Sequence, residues 1–134
     1  MAYFRYYGKN KYGNRKTVVD NITFDSRHEA NRYIELKFQQ NAGIIHDLTL
    51  QKKYVLIEAQ YESSDEVYQK GANKGKPKRG ALIEREVAYY ADFDYYTADG
   101  EHVVEDAKGL KTKEYVIKRK LMLKIHGIRI HEIF

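Results

Sequence analysis

Residues 90–108 read Tyr90-Ala91-Asp92-Phe93-Asp94-Tyr95-Tyr96-Thr97-Ala98-Asp99-Gly100-Glu101-His102-Val103-Val104-Glu105-Asp106-Ala107-Lys108. Two β-prone runs flank the turn sequence Ala98-Asp99-Gly100, so the stretch predicts a hairpin. Its register decides where the acids go. With Asp99-Gly100 as a two-residue loop, Asp92 pairs with Ala107 and Asp106 projects from the opposite face. With Ala98–Gly100 as a three-residue loop and Gly100 left-handed, Thr97 pairs with Glu101, Asp92 faces Asp106 and Tyr90 faces Lys108. Directly opposed side chains sit about 5 Å apart at Cβ, a spacing at which one cation bridges two carboxylates. A glycine as third loop residue favours the second register. Asp106 and Lys108 stand two residues apart and share a face in either.

Working outward, the first arm of this hairpin extends back to Glu84. Strict alternation puts Glu86, Ala88, Tyr90, Asp92 and Asp94 on one face and Val87, Tyr89, Ala91, Phe93 and Tyr95 on the other. The second arm runs from Glu101 to Gly109. Upstream, Ser26-Arg27-His28-Glu29 is a capping-box sequence. Ala30, Tyr33, Ile34 and Phe38 follow it at helical spacing, and Gly43 can end the helix, predicting a helix over 26–42. A β-prone run predicts a strand over 48–59, and residues 61–82, with the only proline at Pro77, read as a basic surface loop. Thr112 can cap a second helix that Gly127 ends. Residues 128–133 alternate and predict a final strand. Residues 1–17 read as a basic, aromatic arm with room for one short strand. The order is helix, three strands, helix, strand: a single α/β (α+β) domain with a central mixed sheet flanked by helices.

Composition fits one domain that pairs a core with a charged surface. The chain has 134 residues, 43% hydrophobic and 32% charged, with a net charge of +5. The absence of cysteine excludes disulfides, Cys-zinc sites and iron–sulfur clusters. The N-terminus has no apolar h-region and no apolar run approaches about 18 residues, so a cytoplasmic protein that engages no membrane is expected. Charge is segregated. Arg5, Lys9, Lys11, Arg15 and Lys16 lie in a segment without acids, as do Lys70, Lys74, Lys76, Lys78 and Arg79. Between Glu84 and Asp106 acids dominate, with Arg85 the one base. An acidic centre among basic segments suggests a cation site set in a polyanion-binding surface.

The Glu29 helix, Ala91-Asp92-Phe93 and Asp106-Ala107-Lys108 occur in an element order that resembles the PD-(D/E)XK nuclease superfamily. The likeness spans about residues 24–133, and the chain looks like small phage endonucleases and Holliday-junction resolvases. Ala91 stands where the family's name has proline. The resemblance implies a restriction-endonuclease-like αβββαβ core and metal-dependent hydrolysis of DNA. It implies catalytic roles for Glu29, Asp92, Asp106 and Lys108. Mg²⁺, with Mn²⁺ able to substitute, would be held by Glu29, Asp92, Asp106 and the Ala107 carbonyl. A phage recombination role would place the protein in the host cytoplasm, and symmetric cutting of branched DNA would call for a homodimer. A nicking or restriction-type nuclease of the same fold is the variant reading.

Each candidate also has a plainer role. Glu29 can serve only as the capping-box partner of Ser26, and Asp94 as a solvated or supporting acid. Glu105 competes with Asp106, but spacing to Lys108 selects Asp106. Gln51 is a candidate neighbour of the site. Lys74, Lys76, Lys78, Arg79, Lys111, Lys113, Lys120 and Lys124 are candidate nucleic-acid contacts, or simply solvated charges. The histidines show no metal-ligand spacing. A non-catalytic nucleic-acid-binding protein explains the charge but not the Asp92, Asp106 and Lys108 pattern.

Overall fold

The computed structural model describes residues 5–9, 15–108 and 110–134. The N-terminal segment does not form a free arm. β1 (Arg5–Lys9), β2 (Arg15–Val19) and β3 (Ile22–Phe24) make a three-stranded antiparallel sheet. Its tight β2–β3 turn uses left-handed Asp20 and Asn21, residue types that tolerate that conformation. The sequence allowed one short strand here where three form, and Lys11 lies outside the described residues.

α1 (Arg27–Asn41) starts where Ser26 accepts the Glu29 N–H at 3.1 Å and stops at left-handed Gly43. Its inward face is Glu29, Ala30, Tyr33 and Leu36, whereas Phe38 points to solvent. After α1 come β4 (Ile45–Ile57), the short strands β5 (Gln60–Tyr61) and β6 (Leu82–Glu84), β7 (Val87–Thr97) and β8 (His102–Ala107). β5 and β6 pair, and Val67 bridges Pro77 between them, so the predicted 61–82 loop is a partly paired hairpin. α2 (Lys113–Leu121) begins at the Thr112 cap and runs into a π-helical turn, Met122–His126, ended by left-handed Gly127. β9 (His131–Ile133) closes the chain's secondary structure.

The main sheet is mixed, in the order β4-β7-β8-β9, with β9 parallel to β8 across the α2 crossover. β7 and β8 pair with Phe93 opposite Glu105 and Tyr96 opposite His102. That register belongs to the three-residue loop: the Thr97 N–H donates to Glu101 at 2.9 Å, and Gly100 is left-handed. Asp92 and Asp106 are therefore opposed.

The core lies on both faces of this sheet. On one, Ala30, Tyr33 and Leu36 of α1 pack with Val19, Phe24, Ile45, Phe93 and Tyr95. On the other, Tyr115 and Met122 pack with Tyr54, Leu56, Tyr89, Ala91, Val104 and Ile130. Strict alternation along β7 thus fails. Tyr89 and Ala91 belong to one core, yet Phe93 and Tyr95 belong to the other. The pleat slips phase at Asp92. Its partner across β4 is Gln51, since Leu50 pairs with Phe93 and Lys52 with Ala91. Gln51 has φ 52°, a conformation that costs a non-glycine residue about 1–3 kcal/mol. No residue is inserted, so the register is kept while both strands turn over.

Asp94 is buried rather than solvated: it accepts from the Tyr54 hydroxyl and lies 2.9 Å from His102 Nε2. Glu105 is also buried, on the α1 side. It takes two 2.7 Å hydrogen bonds from Arg32 and one from the Tyr95 hydroxyl. This bidentate pair fixes α1 to β8. Arg32→Met is expected to cost about 3 kcal/mol in urea unfolding, because it strands a buried carboxylate. Adding Glu105→Leu is expected to recover most of that loss, and a single-variant loss below about 1 kcal/mol would show that Glu105 does not depend on Arg32.

Candidate functional site

Where the pleat slips, Gln51 and Asp92 meet the first turn of α1. Gln51 Nε2 donates to Asp92 Oδ1 at 3.1 Å and to Glu29 Oε1 at 3.5 Å. The capping box is therefore half-formed: Ser26 caps the Glu29 N–H, while the Glu29 carboxylate turns to Gln51. Asp92 Oδ2 accepts the Ala107 N–H at 2.9 Å, tying β7 to the end of β8.

Asp106 lies beneath this group and is 2% exposed. The Tyr89 hydroxyl donates to its Oδ2 at 2.6 Å. Its Oδ1 accepts no hydrogen bond among the described residues, although the Lys108 ammonium lies 3.0 Å away as an ion pair. Lys108 also sits over the Tyr115 ring, 4.1 Å from its centroid. Tyr115 is buried in the second core and donates to Glu132 at 3.1 Å. Lys111 and Arg119 bind the same carboxylate at 2.6 and 2.8 Å. These bonds, Lys111 first, hold the Glu132 carboxyl down at about 2.

Three acids and one lysine leave a local excess of negative charge. Burial first, then Asp92, Asp25 and Asp106, push the Glu29 carboxyl up to about 8. Burial and then Asp106 push Asp92 up to about 6, against the pull of the Ala107 N–H and Gln51. Burial and the charge of Asp106 drive the Tyr89 and Tyr115 hydroxyls upward too.

Glu29, Asp92, Ala107 and Lys108 line a cavity of about 690 Å³ together with Asp25, Ser26, His28, Leu110, Thr112 and Phe134. Sequence reasoning missed Asp25, His28, Tyr89 and Tyr115. Asp25 was within reach, since it directly precedes the Ser26 cap and shares the turn that presents Glu29. Tyr89 and Tyr115 carried no signal distinguishing them from other core tyrosines.

The donors suit a hard divalent cation: the Glu29 and Asp92 carboxylates at the cavity, and the buried Asp106 carboxylate, whose Oδ1 faces the Lys108 ammonium. In their present positions, no three acids or imidazoles among the described residues lie within reach of one ion. The Gln51 amide supplies the positive edge between Glu29 and Asp92 instead.

Of the basic candidates, Lys74, Lys76, Lys113, Lys120 and Lys124 are exposed. Lys111 is paired with Glu132. Lys78 lies 3.8 Å from Glu66 and over the Tyr68 ring, and Arg79 lies over the Tyr61 ring. No helix among the described residues is long and apolar enough to cross a membrane.

The chain belongs to a protein family of unknown function, DUF1064, whose profile matches residues 9–133. No curated protein and no solved structure matches it.

Raised carboxyl values carry a stability signature. From about pH 4.5 to about 8 the folded chain keeps a proton on Glu29 that the unfolded chain has released. Stability is therefore expected to fall as pH rises through that window. Calorimetry in a chelating buffer checks it, and Glu29→Gln should flatten the slope. A wild-type melting temperature independent of pH across the window would contradict the burial of this charge cluster.

The hold on Lys108 is tested separately. Slowly exchanging ammonium signals from Lys108 are expected in ¹⁵N NMR of the wild type and of Tyr115→Phe, which keeps the ring. Tyr115→Leu is expected to lose them. Equal exchange in all three would show that the ring does not hold Lys108.

Proposed function

We propose that the chain is a metal-dependent DNA endonuclease, Mg²⁺ being the natural ion and Mn²⁺ a substitute. One observation carries this reading: the opposition of Asp92 and Asp106 across β7 and β8, with Lys108 beside Asp106 and Glu29 arriving from α1. Pure folding does not require such an arrangement. It gathers like charges and raises the proton affinity of Glu29 and Asp92, a cost that a bound cation would offset.

Glu29, Asp92, Asp106 and the Ala107 carbonyl would supply the oxygens. Bound there, the ion would lower the pKa of a coordinated water and offset charge building on the phosphorus. The remaining work falls to the chain. Lys108, held by Asp106 and the Tyr115 face, places its ammonium at the cavity wall to stabilise a phosphate oxygen as charge builds. Gln51 holds the Glu29 and Asp92 carboxylates in place. The exposed lysines of the 61–82 hairpin and of the α2 region add phosphate contacts whose strength falls with salt.

We further propose a homodimer acting on branched DNA, in the manner of a junction resolvase in phage recombination. The basic hairpin suits wrapping the arm of such a substrate, and paired cuts need two sites related by a twofold axis. A second reading, a non-catalytic nucleic-acid-binding protein, draws support from the lack of three ligands poised for one ion.

Incubation with four-way, flapped, nicked and linear DNA, with and without Mg²⁺, separates these. Cleavage is expected only with the ion. Asp106→Asn and Asp92→Asn are expected to abolish it while largely retaining DNA binding, and Lys108→Ala is expected to slow it by about a hundredfold or more. Normal cleavage by Asp106→Asn would refute the site. Binding without cleavage under every metal condition would favour the second reading, and equal affinity for linear and four-way DNA would remove the branched-substrate proposal.

A further inference from the structure

The cavity lined by Glu29, Asp92 and Lys108 is also lined by Leu110 and Phe134, which are 73% and 75% exposed. Each of these apolar side chains would gain from being covered.

The Phe134 wall is held in place. The Ile133 carbonyl accepts the Lys108 N–H at 2.9 Å and lies 2.9 Å from His28 Nε2. These contacts clamp β9 between β8 and the start of α1. The Lys111 ammonium lies 4.9 Å from the Phe134 ring centroid and is itself held 2.6 Å from Glu132. The ring is therefore backed by a fixed cation, an arrangement that orients an aromatic face.

We infer that this wall is a stacking site for one unpaired nucleobase, so that the substrate's nucleotide next to the cleaved phosphate is swung out of the helix. The inference rests on the nuclease reading above and names its substrate class. An unstacked nucleotide offers a phosphate to the Lys108 ammonium and a flat apolar base to the Phe134 ring. A regular duplex presents phosphates but keeps its bases stacked inside, leaving Leu110 and Phe134 in water. The volume of about 690 Å³ falls within the range of pockets that enclose a small ligand, and is far too small for a duplex. Base–aromatic stacking tolerates every base, which suits recognition of DNA shape rather than sequence.

The test uses the full chain with Ca²⁺, to limit cleavage, and DNA carrying a single 2-aminopurine. In one probe the analogue is unpaired at a flap or junction branch, and in the other it is stacked within a duplex. Binding is expected to change the fluorescence of the unpaired analogue only. Phe134→Ala should abolish that change and weaken binding to the unpaired probe by about tenfold, with duplex affinity unaltered. Phe134→Trp should retain both signal and affinity, and Leu110→Ala should give a smaller loss in the same direction. Equal loss on both probes, or no loss on either, would overturn the stacking site, as would an unchanged fluorescence in the wild type. The nuclease reading fails differently, by absence of Mg²⁺-dependent cleavage from the wild type while the stacking signal persists.

Discussion

One constraint organises this molecule: the pair Gln51–Asp92, where β4 and β7 both turn over without losing register. On one side of that pair the inward residues of β7 serve the α2 core. On the other they serve the α1 core. A strand that changes its buried face needs a residue belonging to neither, and that residue is Asp92. Its carboxylate is thereby released from the regular pleat toward β8 and the first turn of α1. The left-handed backbone of Gln51 is the local cost, and the side-chain bonds of Gln51 to Asp92 and Glu29 help hold it there.

The buried acids then divide by how fully they are matched. Glu105 has Arg32 and Tyr95, Asp94 has Tyr54 and His102, and Glu132 has Lys111, Arg119 and Tyr115. Each is an acid satisfied by donors from other strands or helices, and each ties elements together. Glu29, Asp92 and Asp106 share a single lysine among them, and burial together with neighbouring negative charge raises the proton affinity of Glu29 and Asp92. Proteins match buried charge wherever only folding is at stake. Partial matching is what separates this group from the structural acids around it.

Much of the fold was legible. Ser26 and Thr112 mark both helix starts because each side chain can satisfy an orphan N–H. Gly43 and Gly127 mark the ends because left-handed backbone favours glycine. Gly100 selected the register that opposes Asp92 to Asp106. The N-terminal sheet was missed, since Tyr, Gly, Asn and Lys show no period there. The π-helical turn was also missed, because its sequence continues an ordinary helical pattern. Alternation misled along β7, where residues of both parities are apolar or aromatic and nothing marks a change of face. In α1, Phe38 fitted the helical spacing but Leu36 was buried, since the sheet lies under only part of the apolar stripe.

By itself the sequence determined α1, the hairpin arms, the start and end of the second helical segment, their order, and the kinship of Asp106 with Lys108, because caps, turns and i,i+2 spacing are local physics. It also determined which residues carry charge. Only the tertiary structure decided which charges are spent on holding the fold. Asp94 read as a solvated or supporting acid, Glu105 as a rival of Asp106, and Lys111 as free as Lys113, until distant partners claimed them. The reason is that burial and matching depend on donors far apart in the chain. Arg32 meets Glu105 and Tyr54 meets Asp94 only after the strands have paired and α1 has docked.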